Sequence, residues 1–386
     1  MSVSASEIVP TYGVKPTAVT GHKTVCFGDS GLLLVGGWNP NVNDQTNNSD
    51  NHYVRAVWKL NFSTRRWTLL HDGKDGTEPV EMASHCLAII SANKLLMFGG
   101  SLSPLQTNGS SNRVHVFHLS ERSWQEYACQ GSAPSIWLGH WFGQALAADL
   151  ANSAIYVVSG VRSGHSLLHK LTMCRDSWTW QALGRPEDSH IPQGRCRHEI
   201  LFYNNRIFLL GGGRDFAHRS FELSSIPVFD LERNSWQLVH AYPDSHSNSF
   251  PPSLTMFGCV LYHDSAYICG GLEDSDSARI NHDQLWKLHL PSMRWTRCSQ
   301  LPFPAWFHCS AVTPSGVMYS FGGCTSLNYN GPRSNEVVRT KLKPDTLENL
   351  CWERILECTD FTLHLRSDLE LRLAGIPKKF VDRLRF

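Results

Sequence analysis

LLLVGG at 32–37 returns as LLMFGG at 95–100, YVVSG at 156–160, FLLGG at 208–212, YICGG at 267–271 and YSFGG at 319–323. The first glycines, with Ser159 standing for one of them, are 63, 60, 52, 59 and 52 residues apart. A period of that size marks repeated supersecondary units, each unable to bury its apolar face without a neighbour. Two further marks keep phase with the doublet. A Trp follows it by 18 to 30 residues, as Trp67, Trp124, Trp178 or Trp180, Trp236 and Trp295. An alternating strand lies between, as in VWKL (57–60), VHVFHL (114–119), IPVFDL (226–231) and QLWKLHL (284–290).

A third mark precedes the doublet. A Pro stands six residues before a His at Pro16/His22, Pro79/His85, Pro134/His140, Pro192/His198 and Pro302/His308, with Pro252/Gly258 as the exception. Pro cannot sit in a central strand, so it marks the loop entering each unit. Four short strands per unit make a propeller blade. Doublet, Trp and strand order together resemble the kelch repeat, over residues 1–343. The sixth unit lacks an outer strand. Residues 6–10 (SEIVP) repeat the spacing of such a strand ahead of Gly13, Pro16 and His22, and are expected to complete blade six and close the ring. The expected fold is all-β, a six-bladed propeller closed by its N-terminal strand, with a helical tail.

Composition narrows the function. The chain of 386 residues is 41% hydrophobic and 18% charged, with net charge +1. It has neither a basic run nor a phosphate-cradling loop, so nucleic acid is not an expected ligand. No apolar stretch nears 18 residues, so no membrane span is expected. MSVSASEIVP has neither a basic region nor an apolar core, so no secretory leader is expected, and the location read is the cytoplasm or nucleus. The 12 cysteines form no C-x2-C pair and read as reduced core thiols. His165 and His169 fall in loop and strand, and the repeat histidines read as structural, so neither a metal nor a cofactor is expected. No nucleophile elbow, H-E-x2-H or dinucleotide fingerprint occurs. Polar excursions at 38–54, 101–112 and 324–334 read as binding loops, and 241–252 as a loose segment.

After Lys343 glycines nearly stop, and 344–386 reads as three helices. Thr346 or Asp345 caps the first, whose Leu347, Leu350, Cys351 and Ile355 share one side. Ser367 and Glu370 form a capping box for the second, and Pro377 opens the third, with Phe380, Val381 and Leu384 apolar. The tail reads as a docking surface or as a cap folded back on the propeller.

Thr346, Leu347, Cys351 and Ile355 resemble the elongin-binding BC-box, Ser/Thr/Pro-Leu-x3-Cys-x3-aliphatic. Ile376, Pro377, Phe380 and Leu384 resemble a Cullin-2 box. A kelch propeller followed by both is similar to the kelch-domain substrate receptors of Cullin-2 ubiquitin ligases. The resemblance implies a non-catalytic subunit binding elongin B, elongin C, and Cullin-2 with its RING subunit. It also implies capture of substrate proteins by their C-terminal residues, typically Gly or Ala. Arg214 and Arg219 resemble the family arginines that grip the terminal carboxylate. Around them Arg195, Arg197, Trp137, Phe257, Trp306 and Phe307, just ahead of the repeat His positions, are the candidate pocket. A carboxylate leaving water needs guanidinium forks and aromatic walls. A scaffold for actin or signalling proteins would use the same propeller without the tail motifs. A kelch oxidase with copper or a specifier protein with iron would need ligand motifs, and the iron motif is absent here.

Overall fold

The computed structural model describes residues 3–41, 52–80, 82–101, 113–132, 143–158, 165–175, 177–185, 188–214, 219–275 and 278–386. Six antiparallel sheets follow one another around a ring. Blade one is Lys23–Phe27, Gly31–Val35, Val57–Asn61 and Arg66–His71; blade four is Glu199–Tyr203, Arg206–Leu210, Ser225–Asp230 and Ser235–His240. Blades two, three and five repeat this meander from Cys86, Ala145 and Gly258, and blade three gains a parallel edge strand, Cys129–Gly131. Blade six takes three strands from 309–341 and its fourth from the N-terminus, where Glu7–Val9 pairs with Val337–Arg339. The second strand of each blade is buried along its length, as at Gly31–Val35 and Ala154–Val158, except for the first residues Lys94 and Arg206 in blades two and four. Sheets cover it on both faces, which is why the doublet is preceded by an unbroken apolar run instead of an alternating one.

Among the described residues, the doublet locks the blade to the next in four blades. The second glycine donates its N–H to the following blade: Gly37 to Met82 O (2.8 Å), Gly212 to Leu254 O (2.9 Å), Gly271 to Ala305 O (2.8 Å) and Gly323 to Val19 O (2.9 Å). The first glycine has positive φ, and a Cβ there would strike the next blade: Met82 O and His85 at Gly36, Val19 O and His22 at Gly322. At blade one the repeat histidine returns the bond, His22 donating Nε2–H to Phe321 O at 3.0 Å, while His308 Nε2 meets Cys269 Sγ at 3.4 Å.

Strand register corrects the repeat in two blades. Ala145 pairs with Val158 and Gly258 with Cys269, so the residues entering the first strands of blades three and five are Gln144 and Phe257. The Pro-x5-His spacing had put His140 and Gly258 there; His140 lies outside the described residues. Gln144 copies the histidine's bond, donating Nε2–H to Phe98 O at 3.5 Å. Phe257 fills the place with an apolar ring, buried between Gly211 and Gly271.

One residue further out stands a second ring: Gly21, Ser84, Gly143, Arg197, Met256 and Phe307, all with positive φ. Neighbours in it are joined by Ser84 N–Gly21 O (2.7 Å), Arg197 N–Gly143 O (2.6 Å), Met256 N–Arg197 O (3.2 Å) and Phe307 N–Met256 O (2.7 Å). This is the neck of a funnel on the propeller axis. Below it Lys23 of blade one reaches across to Glu199 of blade four, Nζ–Oε1 2.9 Å. Burial opposes the Lys23 charge, and Glu199 more than offsets it, so the Lys23 pKa is raised.

The tail folds as read, with its caps in place. α1 (Leu347–Cys358) is capped by Thr346, α2 (Asp368–Leu373) by the Ser367–Glu370 box, and α3 (Lys378–Arg385) starts after Pro377. Trp352, Leu356, Leu371, Phe380, Val381 and Leu384 form its own core. It is also fixed to blades one and six. Trp352 Nε1 donates to Ser63 Oγ (3.3 Å), Asn61 Nδ2 to Arg383 O (2.8 Å), and Arg339 pairs with Glu353 (2.7 Å). Phe386 stacks on Phe27 over Gly31, where any Cβ would meet the ring. These contacts use the turns after first and third strands. The funnel loops join the other strand ends, so tail and funnel occupy opposite faces. The segment 241–252 is not loose: Asp244 accepts from the N–H groups of His246 (2.6 Å), Ser247 (3.2 Å) and Arg297 (2.8 Å).

Burial lowers the pKa of His22, His85 and His198 to about 3 and of His308 to about 4. Below pH 6.5 the unfolded chain therefore holds more protons than the native one, and stability falls on acidification. Each histidine adds a slope of about 1.4 kcal/mol per pH unit down to its folded pKa. His85→Gln should keep the fold, as Gln144 does in blade three, and remove one proton's share of that slope. Urea unfolding at pH 7, 6 and 5 reads this; an unchanged slope contradicts it.

Candidate functional site

Cys196 and Gly213 exchange backbone hydrogen bonds at 3.0 and 2.9 Å. That bridge sets Arg195 beside Arg214, and both guanidinium groups lie on Phe221, 3.7 and 4.9 Å from its ring centroid. Arg195 is buried and donates Nη1–H to Gly211 O at 3.0 Å. Burial, and then the Arg214 charge, lowers its pKa to about 9, so it is still a cation at neutral pH. Two like charges at one aromatic ring form a ready anion site. Arg219 is exposed, and its carbonyl accepts the Arg214 N–H at 2.9 Å.

The other candidates separate from this pair. Arg197 sits in the funnel neck with its guanidinium 5.2 Å from the Phe307 ring. Phe307 lies parallel to Trp306 at 6.4 Å. Trp306 is not a pocket wall. It is buried with Met256, Leu272 and Cys324, and its Nε1–H donates to Ser326 O at 2.8 Å. Phe257 holds the place of the repeat histidine in the core and also lines the axial cavity beside Arg197 and Phe307. Trp137 lies outside the described residues. Sequence reasoning missed Phe221, Trp38, Tyr329 and Arg333. Trp38 follows the first doublet directly, and Tyr329 and Arg333 belong to the 324–334 excursion, so position in the repeat was the available signal.

Among the described residues one set could be taken for a metal site: His71, Asp75 and Glu78. His71 Nδ1 accepts the Gly73 N–H at 2.9 Å, which leaves the imidazole proton on Nε2, facing Asp75 Oδ2 at 3.0 Å. The group is a His–Asp contact on the turn after the fourth strand of blade one.

On the opposite face α1 shows its apolar side to solvent. Leu347 is 77% exposed, and Cys351, Leu350 and Ile355 are exposed with it. A groove of about 550 Å³ runs from Leu347, Cys351 and Ile355 to Ile376 and Pro377. Thr346 serves as helix cap, its hydroxyl accepting the Asn349 N–H at 3.2 Å. Phe380 and Leu384, which the box pattern assigned to a partner, are buried within the tail. Each is 4% exposed, and Phe380 stacks on Trp352 at 4.6 Å inside the tail. They hold α3 against α1.

A family model described as the KLHDC2/KLHL20/DRC7 Kelch-repeats domain matches residues 3–213. Kelch domain-containing protein 10 of Rattus norvegicus is 32% identical over 96% of this chain and 86% of its own length. The chain belongs to this kelch-repeat family. The Homo sapiens protein of the same name is 32% identical over 96% of the chain and 80% of its own. A Drosophila melanogaster homolog of Kelch domain-containing protein 10 is 30% identical over 96% of the chain and 62% of its own. The kelch propeller is typically a non-catalytic framework, and the fold is consistent with protein binding.

The tail geometry separates anchors from surface. Phe380→Ala should cost the tail about 3–5 kcal/mol and expose its amides, as cavity creation does. Leu347→Ala should change stability by less than about 0.5 kcal/mol. Hydrogen exchange over α1–α3 distinguishes them; equal protection in both variants contradicts the assignment.

Proposed function

We propose that this chain is the substrate-recognition subunit of a Cullin-2–elongin B/C ubiquitin ligase, taking target proteins by their C-terminal residues for ubiquitination and degradation. The observation that carries it is the solvent-facing Leu347, Cys351 and Ile355 side of α1, continuous with Ile376 and Pro377. A soluble chain does not keep such a face without a partner. The motif order, BC-box pattern then Cullin-2-box pattern, names that partner. The anion site at Arg195, Arg214 and Phe221 supports the substrate side, with Arg219 beside it. No chemistry is asked of the chain itself. Held on one rigid body, a captured substrate has a high effective concentration near a charged conjugating enzyme. The proposed workplace is the cytoplasm or nucleus.

Truncating a buried interface anchor costs more than about 2 kcal/mol. Leu347→Ala with Cys351→Phe should therefore abolish recovery of elongin B/C while the propeller stays folded. Ile376→Ala with Pro377→Ala should keep elongin B/C and release Cullin-2. Undiminished elongin recovery by the folded first variant overturns the adaptor reading. Recovery of Cullin-5 in place of Cullin-2 by the unmodified chain overturns the cullin assignment.

A further inference from the structure

A second group of cations lies apart from the Arg195–Phe221–Arg214 site. The 324–334 loop of blade six closes on itself: Cys324 N–H bonds Trp306 O (2.8 Å), Gly331 N–H bonds Asn328 O (2.8 Å), and Arg333 donates to the carbonyls of Gly331 and Tyr329. That closure lays the Tyr329 ring against Trp38 of blade one and Trp306 of blade six, each at 5.6 Å. The Arg333 guanidinium is 5.0 Å from the Trp38 centroid and 5.7 Å from that of Tyr329. Arg197 of blade four comes to the same cluster over Phe307.

The cluster is built and incomplete. The Tyr329 hydroxyl and the Arg333 Nε–H are buried, and neither has a hydrogen-bond partner among the described residues. Buried polar groups are normally satisfied, and one left open carries a standing cost. Burial raises the Tyr329 pKa to about 12, against the pull of Arg197 and Arg333, so the phenol remains a donor. The groups acting on Arg333 are the Cys324 thiol and the Tyr329 phenol, with no carboxylate among them. Everything offered here is a donor or a cation. What would complete it is an anionic acceptor.

We infer that Arg197, Tyr329 and Arg333 form an anion subsite that takes an acidic side chain, Asp or Glu, of the bound peptide, upstream of its terminal carboxylate. The inference rests on the peptide-end reading above and adds which tails are preferred. Arg195 and Arg214 would hold the chain end, and the blade six loop would test a residue before it. Aromatic faces behind both guanidinium groups keep them planar and dry, which strengthens their bonds to a carboxylate.

The test uses the full chain with elongin B/C and a set of fluorescent ten-residue peptides with free C-termini. Each carries one Glu, moved through the positions before the last residue, beside its Gln twin. One position should bind about tenfold tighter as Glu than as Gln, the size of one charge-assisted hydrogen bond. Tyr329→Phe and Arg333→Gln should each erase that preference without moving the thermal midpoint by more than a few degrees. Arg214→Ala should weaken Glu and Gln peptides equally. No position with a Glu preference, or a preference that survives both variants, overturns the subsite. A Glu preference lost in both variants, with Arg214→Ala harmless, supports the subsite and refutes the terminal-carboxylate reading alone.

Discussion

The bond from the second glycine of a doublet to a carbonyl of the next blade, made by Gly37, Gly212, Gly271 and Gly323, is the constraint on which the rest depends. A Cβ at that glycine would strike the residue entering its own blade's first strand, His22 at Gly37 and His308 at Gly323, so the position cannot carry a side chain. The first glycine makes room for the next blade's histidine, and at His22 the histidine ties back. Bonds of this kind hold neighbouring sheets in one register around the ring. Their geometry also sets the residue before each lock into left-handed backbone, from Gly21 to Phe307. The funnel neck is thus a by-product of blade locking. Arg197 and Phe307 are presented there because the lock turns them toward the axis.

Locking has a second consequence. The tail is fastened to the turns of blades one and six by Trp352, Asn61, Arg339 and Phe386, on the face away from the funnel. On the proposed function, a substrate on one face and an adaptor on the other would be held at a fixed separation through a stiff body. Of the two expected roles of the tail, the structure shows the cap. Its inner side, around Trp352 and Phe380, is a structural cap, and its outer side, around Leu347, remains open.

Much of this was legible because it is local. Doublets, alternating strands, and the Thr346 and Ser367 caps each occupy a few consecutive residues with one physical meaning. Even ring closure was readable, since Glu7–Val9 keeps the phase of a missing strand. The lock in blades three and five was not. There the Pro-to-strand interval changes, and only pairing of Ala145 with Val158 and Gly258 with Cys269 shows that Gln144 and Phe257 replace histidine. Phe380 and Leu384 were assigned to a partner because an apolar helix side does not say whose chain covers it. Arg195 and Arg197 are two residues apart, yet the positive φ at Arg197 sends them to different aromatic groups. Phe221, Tyr329 and Arg333 come into the site by loop closure, which has no sequence period.

The central claim is that the funnel face reads a free chain end while the tail face holds an adaptor. Affinity for one peptide, measured as its free acid and as its C-terminal amide, tests it most directly. Amidation removes the charge and one acceptor oxygen from the group facing Arg195 and Arg214, so binding should weaken by about ten- to a hundredfold. Equal affinity for acid and amide across peptides that bind would contradict the account.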